Sequence, residues 1–276
     1  MKLKKINNQT VKPLQVGLGK VEDTRPIKGE ALFPELYSNI FLCAKKKSGK
    51  TVCAGTIIKE CATRDTIVMV FCPTLDIDEN HKKIKEYCQK KKIVYQGFPS
   101  LSNDNGVNIL KALEEELKEE ARLREEEDSD SEKLRRDEKY LAGLFTDEEK
   151  EKKHRKNKYQ SPDYIIFIDD LSDELRTPIV NSFVKRHRHY RIKTLLSSQY
   201  TNDLTPQALQ QMDYCLIFKG IPEEKIIKLK RDFNIDDELE DLLKMYDHAT
   251  EEKFNFLYID IREQEYRKNF DKLFSL

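Results

Sequence analysis

Short apolar runs recur along this chain, separated by longer segments in which apolar residues fall at helical spacing. Ile40-Phe41-Leu42-Cys43, Thr66 to Cys72, Ile93-Val94-Tyr95, Tyr164 to Ile168, Ile192 to Gln199, Asp213 to Phe218 and Phe254 to Ile259 are the strand candidates. The best of them, Thr66 to Cys72 and Tyr164 to Ile168, show no polar alternation, which marks strands covered on both faces of a parallel sheet. Between them, Val52 to Ala62 predicts a helix with Val52, Ile57, Ile58 and Cys61 on its apolar face. Ile77, Ile84, Tyr87 and Cys88 predict a second. Thr177-Pro178 and Thr205-Pro206 each supply an N-cap followed by a first helical position. The first leads into Ile179, Val180, Phe183 and Val184, an apolar helix face. Pro222 opens a helix carrying Ile226, Ile227 and Leu229, and Leu239, Leu242, Leu243 and Tyr246 suggest another. A polar tail ending in Phe270, Leu273 and Phe274 closes the chain. Strands alternating with helices predict an α/β domain built on a mostly parallel sheet.

The alternation breaks between about residues 103 and 160. From Leu113 to Glu132 there are eleven acidic and three basic residues, and from Lys133 to Lys158 ten basic and six acidic. Ile109, Leu110, Leu113 and Leu117 form one helical stripe, while the acidic run around Ser129 and Ser131 has the composition of a solvated segment. The segment reads as a charged, largely helical and exposed insertion between two sheet strands. Residues 1–30 read as a basic arm broken by Pro13 and Pro26, and 31–276 as the folded domain.

Composition narrows the compartment more than the chemistry. Charged residues make up 36% of the chain, yet 50 basic and 50 acidic side chains cancel, so any basic footprint must be local. The 6 cysteines form no Cys-x-x-Cys pair and sit mostly in apolar runs, which predicts buried, reduced thiols rather than a disulfide frame or zinc site. No apolar run has the length of a membrane helix, and the N-terminal segment has no signal-peptide core, so no membrane partner is expected.

The chemistry concentrates at Ala44-Lys45-Lys46-Lys47-Ser48-Gly49-Lys50-Thr51, between a strand candidate and a helix candidate. Strand, tight loop ending in Gly-Lys-Thr, then helix is the context of a phosphate-binding P-loop. In that reading Ser48, Gly49, Lys50 and Thr51 bind the phosphates. Backbone N–H groups at the helix start face the anion, Lys50 reaches the β- and γ-phosphates, and the Thr51 hydroxyl ligates Mg²⁺. Ala44 departs from the pattern, standing where a glycine is expected, and would need φ below zero or some strain. The alternative is a basic surface turn that happens to contain Ser-Gly-Lys-Thr.

A second acidic element follows far downstream. Tyr164 to Ile168 runs into Asp169-Asp170, placing two carboxylates at the C-terminal tip of a buried strand. Ligands bind at that end in open α/β sheets, so Asp169 is expected to hold Mg²⁺ and Asp170 to polarise an attacking water. Gln199 ends the next strand, where it can orient water or sense a γ-phosphate. A strand that merely ends in an exposed Asp-Asp turn, and a satisfied Ser-Ser-Gln turn, are the plainer alternatives.

Ser48-Gly49-Lys50-Thr51, Ile168-Asp169-Asp170, Arg188-His189 ahead of a strand and Ser198-Gln199-Tyr200 together resemble the FtsK–HerA superfamily of P-loop ATPases. Within it they look like the poxvirus-type genome-packaging ATPases of large DNA viruses and virophages. The resemblance covers roughly Ser38 to Ile259 apart from the 103–160 segment. It implies a RecA-like core with helices on both faces of the sheet and the Gln-bearing strand between the P-loop and Walker B strands. It also implies ATP and Mg²⁺ as ligands, a homo-oligomeric ring, double-stranded DNA drawn through its pore, and capsid portal or vertex proteins as partners. The setting would be host cytoplasm, a viral factory or the virion. By matching position Lys50 and Thr51 would bind phosphate and Mg²⁺, Asp169 would position the metal and Gln199 would be the polar sensor. Arg188, with Arg186 and Arg191 behind it, would reach a neighbour's γ-phosphate. Asp170 departs from the Glu that cellular members usually carry. Two rival functions remain: a P-loop kinase acting on a small molecule, and a non-catalytic NTP-binding protein that organises a viral genome.

Overall fold

In a computed structural model the described residues are 23–103, 105–123 and 158–275. Residues 1–22 of the basic arm, and most of the 103–160 segment including Ser129 and Ser131, lie outside them. One nine-stranded sheet organises the chain, in the order β3-β2-β4-β5-β1-β6-β7-β8-β9. Its parallel part comprises β1 (Asn39–Cys43), β2 (Ile67–Phe71), β3 (Val94–Phe98), β4 (Tyr164–Asp169), β5 (Ile192–Ser198) and β6 (Tyr214–Phe218). β7 (Phe256–Asp260), β8 (Glu265–Lys268) and β9 (Lys272–Leu273) extend it in antiparallel fashion. β5 lies between the strands bearing the two motifs, as the resemblance implies.

Alternate side chains of the central strands feed two separate cores. Ile40, Leu42, Val68, Val70, Ile165 and Phe167 face one way, under α1 (Lys50–Cys61) and α2 (Glu79–Lys91). Phe41, Met69, Phe71, Ile166, Ile168 and Leu196 face the other. There they meet a helix over 109–123 (α3), α5 (Pro178–Arg186), α6 (Pro206–Leu209), α7 (Glu223–Asp232) and α8 (Leu239–Ala249). A short helix, α4 (Ser172–Leu175), follows β4. Both faces are therefore apolar along one strand, which is why these strands read as unbroken hydrophobic runs.

Several expectations need correcting. The stripe Leu110, Leu113 and Leu117 is buried in the main core rather than exposed, and Glu114 is buried beside it. Ser182 Oγ and Arg186 Nη1 donate to the Glu114 carboxylate at 2.7 and 2.8 Å, tying α3 to α5. The acid-rich composition hid this face because the exposed side of the same helix carries most of the charge. Ile77 is 79% exposed, since α2 starts only after Asp78, whose side chain caps Asn80 N–H. Val52 and Ile227 are exposed as well, one at the mouth of the cleft described below. Thr177 occupies the N-cap of α5, but its hydroxyl donates to Glu174 O instead of capping. The tail after Ile259 contains β8 and β9, which the polar sequence Glu265 to Lys268 concealed because Tyr266 is its one buried side chain. Part of the arm is anchored too, with Lys28 N–H donating to Gln160 O and Gln160 N–H to Pro26 O. All six cysteines are buried and unpaired. Among the described residues no helix is long and apolar enough to cross a membrane.

Candidate functional site

The C-terminal ends of β1, β5 and β4 stand side by side, so the loops leaving them share one cleft of about 560 Å³. Lys46, Lys47, Lys50, Thr51, Asp170 and Gln199 are among its lining residues. Lys46 and Lys47, which look like ordinary loop charges in the sequence, therefore add to the positive rim.

The loop after β1 shows why Ala44 is accommodated. Ala44 is fully buried in the core beneath α1, has no positive φ, and donates its N–H to Ser198 O at 3.0 Å. The left-handed turns fall instead on Lys47 (φ 61) and Gly49 (φ 98). Gly49 is the N-cap of α1 and offers no side-chain cap, and the first turn holds no acid. The helix thus begins with unclaimed N–H groups and an uncompensated dipole, the requirements for an anion site. Ser48 Oγ is buried without a partner, and Ser48 is not among the residues lining the cleft.

Charge is dense where the two motifs meet. Lys50 Nζ is buried and lies 3.0 Å from Asp169 Oδ1, and it is also ion-paired with Asp170 Oδ1. Thr51 Oγ1 donates to Asp169 Oδ2 at 3.3 Å, and His81 Nε2 approaches the same oxygen at 3.3 Å. Burial alone would lower the Lys50 pKa, but Asp169 and Asp170 more than offset it, so the amine is held above its usual range. Burial would likewise raise Asp169, yet His81 and Lys50 hold its carboxyl below the usual range. For His81 burial is outweighed by Asp169 and Cys72, and its pKa is pushed up to about 9. Asp170 takes the left-handed conformation (φ 54), which Asp tolerates better than most residues, and donates its N–H to Ser197 O. The residues fit a Mg²⁺ ion. A hydroxyl and a carboxylate lie together as hard oxygen donors, and the buried Asp169 Oδ1 has an ion-pair neighbour but no hydrogen bond.

The structure brings together Gly49, Lys50, Thr51, Asp169, Asp170 and Gln199. It does not bring Arg188. That residue precedes β5, at the opposite end of the strands, and pairs with Glu35 and Asp213 at 3.1 Å each. The surrounding basic run is largely satisfied internally: Arg186 pairs with Glu114, and Lys193 is buried, donating to Glu35 O and Ser38 Oγ. Local charge counting sees the cations of this run but not the acids the fold sets against them. His81 was not visible as a site residue, because α2 is a polar helix and nothing local signals that its one histidine turns under β4.

No protein-family model matches the sequence, and no curated protein does. Solved structures do match. The genome packaging NTPase B204 from Sulfolobus turreted icosahedral virus 2, in complex with sulfate, is 15% identical with a TM-score of 0.51, over 84% of this chain and 96% of that one. The same protein in complex with AMP is 16% identical, covering 87% and 98%, with a TM-score of 0.49. EssC (ATPases 2 and 3) from Geobacillus thermodenitrificans is 12% identical, covering 70% and 34%, with a TM-score of 0.42. At these identities the sulfate-complex match shows a shared fold, the α/β fold of a P-loop NTPase with a mostly parallel sheet.

Proposed function

We propose that this chain is an ATP hydrolase coupled to the movement of double-stranded DNA, working in viral genome packaging. The observation that carries the hydrolase reading is the junction of Lys50, Thr51, Asp169 and Asp170 at the ends of the two strands flanking β5, with Gln199 on the same cleft.

In this reading the phosphates of ATP enter over the start of α1, where the backbone N–H groups and Lys46, Lys47 and Lys50 offset their charge. Lys50 exchanges its pairing with Asp170 for the β- and γ-phosphate oxygens. Asp170, released, accepts a proton from the water that attacks the γ-phosphorus, while the bond to the ADP oxygen breaks and ADP and phosphate leave. Gln199 orients that water from the end of β5. Thr51 and Asp169 would hold Mg²⁺, which would neutralise charge on the phosphate oxygens. His81 keeps the Asp169 carboxylate fixed and ionised.

The translocase part of the proposal rests on the motif set and strand order, which resemble the FtsK–HerA superfamily, and on fold likeness to a protein described as a genome packaging NTPase. It carries the expectations of a homo-oligomeric ring, DNA held by its backbone, and capsid portal or vertex partners in the host cytoplasm, viral factory or virion. Arg188 can serve as an arginine finger only from a neighbouring copy that turns the N-terminal ends of its strands toward the cleft. Mixing Arg188→Ala with Asp169→Ala subunits tests this, since a shared site restores activity in the mixture and an unshared one does not. For the function itself, ATP hydrolysis is measured with and without double-stranded DNA over a salt series. Stimulation that fades steeply with salt is expected from backbone contacts. Hydrolysis indifferent to DNA would sink the translocase and favour the kinase reading if a small acceptor became phosphorylated.

A further inference from the structure

Beside the phosphate cleft lies a second, apolar one, and we propose that it holds the base of the nucleotide, a purine ring stacked on Phe254. The proposal rests on the nucleotide reading above and deepens it.

The two clefts adjoin at the start of α1. The apolar one, about 420 Å³, is lined by Val52, Thr56, Phe254, Phe256 and Phe270 together with Gly49. Gly49 and Val52 also line the phosphate cleft. A molecule whose anionic end sits over the start of α1 therefore meets an apolar wall along the first turn of the same helix. A nucleoside triphosphate has that division between a charged tail and a flat aromatic head.

Phe254 is the unusual part of the wall. It is a large aromatic residue with φ 73 and 54% of its surface exposed, two positions before β7. A bulky residue in the left-handed region is an outlier, and such outliers gather at ligand clamps, where the surrounding fold holds them. What holds this one is partly Gly49: a Cβ there would stand 3.2 Å from Phe254 Cδ1, so the absence of a side chain lets the ring lie against the phosphate loop. Behind it the wall is firm. Phe256 is buried, and its ring meets Phe270 edge-on at 5.0 Å, while Phe270 in turn packs on Phe33 at 5.7 Å. Lys253 Nζ stands 4.7 Å from the Phe254 ring centroid, but this lysine is itself exposed and yields that face at little cost.

The lining also says how the base is recognised. Its one hydroxyl, on Thr56, donates to Val52 O at 3.1 Å, so the weak thiol donor of Cys53 is the only uncommitted polar hydrogen among the lining side chains. Stacking accepts any π-face and favours the larger ring system. The subsite therefore selects purines over pyrimidines and hardly separates ATP from GTP.

The test is calorimetric binding of ATP, GTP, CTP and inorganic tripolyphosphate, each with Mg²⁺, to the full chain and to Phe254→Ala, Phe254→Tyr and Lys50→Ala. Loss of one stacked aromatic should weaken ATP roughly 5- to 150-fold. Tripolyphosphate, which has no base, should bind Phe254→Ala as it binds the unaltered protein, and Phe254→Tyr should retain ATP affinity. ATP and GTP should bind within about tenfold of each other, whereas a hydrogen-bonding base site would separate them by about 10⁴-fold. Equal ATP affinity with and without the Phe254 ring overturns the proposal. So does an equal loss of ATP and tripolyphosphate in Phe254→Ala, which would make Phe254 a support of the loop. Failure of tripolyphosphate to bind the unaltered protein, or indifference of its binding to Lys50→Ala, overturns the phosphate site itself and is told apart by those two arms.

Discussion

Replacing Ala44 by glycine restores the residue expected at the start of a phosphate loop, and the structure predicts that the change is harmful. Ala44 is fully buried, packs in the core under α1, and has no positive φ that glycine would relieve. Removing its methyl forfeits about 0.8 kcal/mol of apolar burial. Added backbone freedom in the unfolded chain costs about 0.4–1 kcal/mol more. The sum, roughly 1.5 kcal/mol, corresponds to a drop of roughly 3–6 °C in melting temperature for a domain of this size. ATP hydrolysis per folded molecule should not change, because the anion site is formed by Gly49 to Thr51 and the left-handed turns sit at Lys47 and Gly49. Thermal melts monitored by circular dichroism, paired with phosphate-release rates at a temperature where both proteins are folded, make the comparison. A more stable or faster Ala44→Gly protein would refute the reasoning, since it would mean that the loop strains against Ala44.

The reverse change, Gly49→Ala, should be much worse for function than for packing elsewhere. It places a side chain at φ 98, at a cost of about 1–2 kcal/mol, and sets its Cβ 3.2 Å from Phe254 Cδ1; nucleotide binding by calorimetry should fall sharply while circular dichroism keeps its folded shape. Glu114→Gln should lower the melting temperature at neutral pH, because buried Glu114 accepts bonds from Ser182 and Arg186. Burial would raise the Glu114 carboxyl, but Ser182, Lys118 and Arg186 more than offset it and hold it below its ordinary 4.5. A depressed carboxylate stabilises above that unfolded value and loses its contribution as pH falls through the folded one. The gap between the two proteins should therefore narrow below pH 4.5; a gap that stays constant in acid would remove Glu114 from the account.

The parallel strands were legible because burial on both faces leaves no polar alternation to confuse them, as Ile165 to Ile168 and Leu195 to Leu196 show. The two motifs were legible because P-loop chemistry needs its residues consecutive in sequence. What stayed hidden depends on long-range placement. Leu110, Leu113 and Leu117 form a correct stripe in an acidic segment, and only contact with the core reveals that it is covered. Arg188 lies in a basic run whose neutralising partners, Glu35 and Asp213, are far off in the chain. His81 reaches Asp169 across 88 positions, and Phe254 reaches Gly49 only through the loop before β7. β8 escaped notice because a strand with one buried side chain has almost no period to read.

The central claim is that Asp170, freed from Lys50, activates water at this cleft. The direct measurement is single-turnover ATP hydrolysis by Asp170→Asn against the unaltered protein, with nucleotide saturation verified by calorimetry in both. Loss of a general base should slow the chemical step by about 10²–10⁴-fold while ATP still binds. Equal rates in the two proteins, with ATP bound in each, would contradict the account.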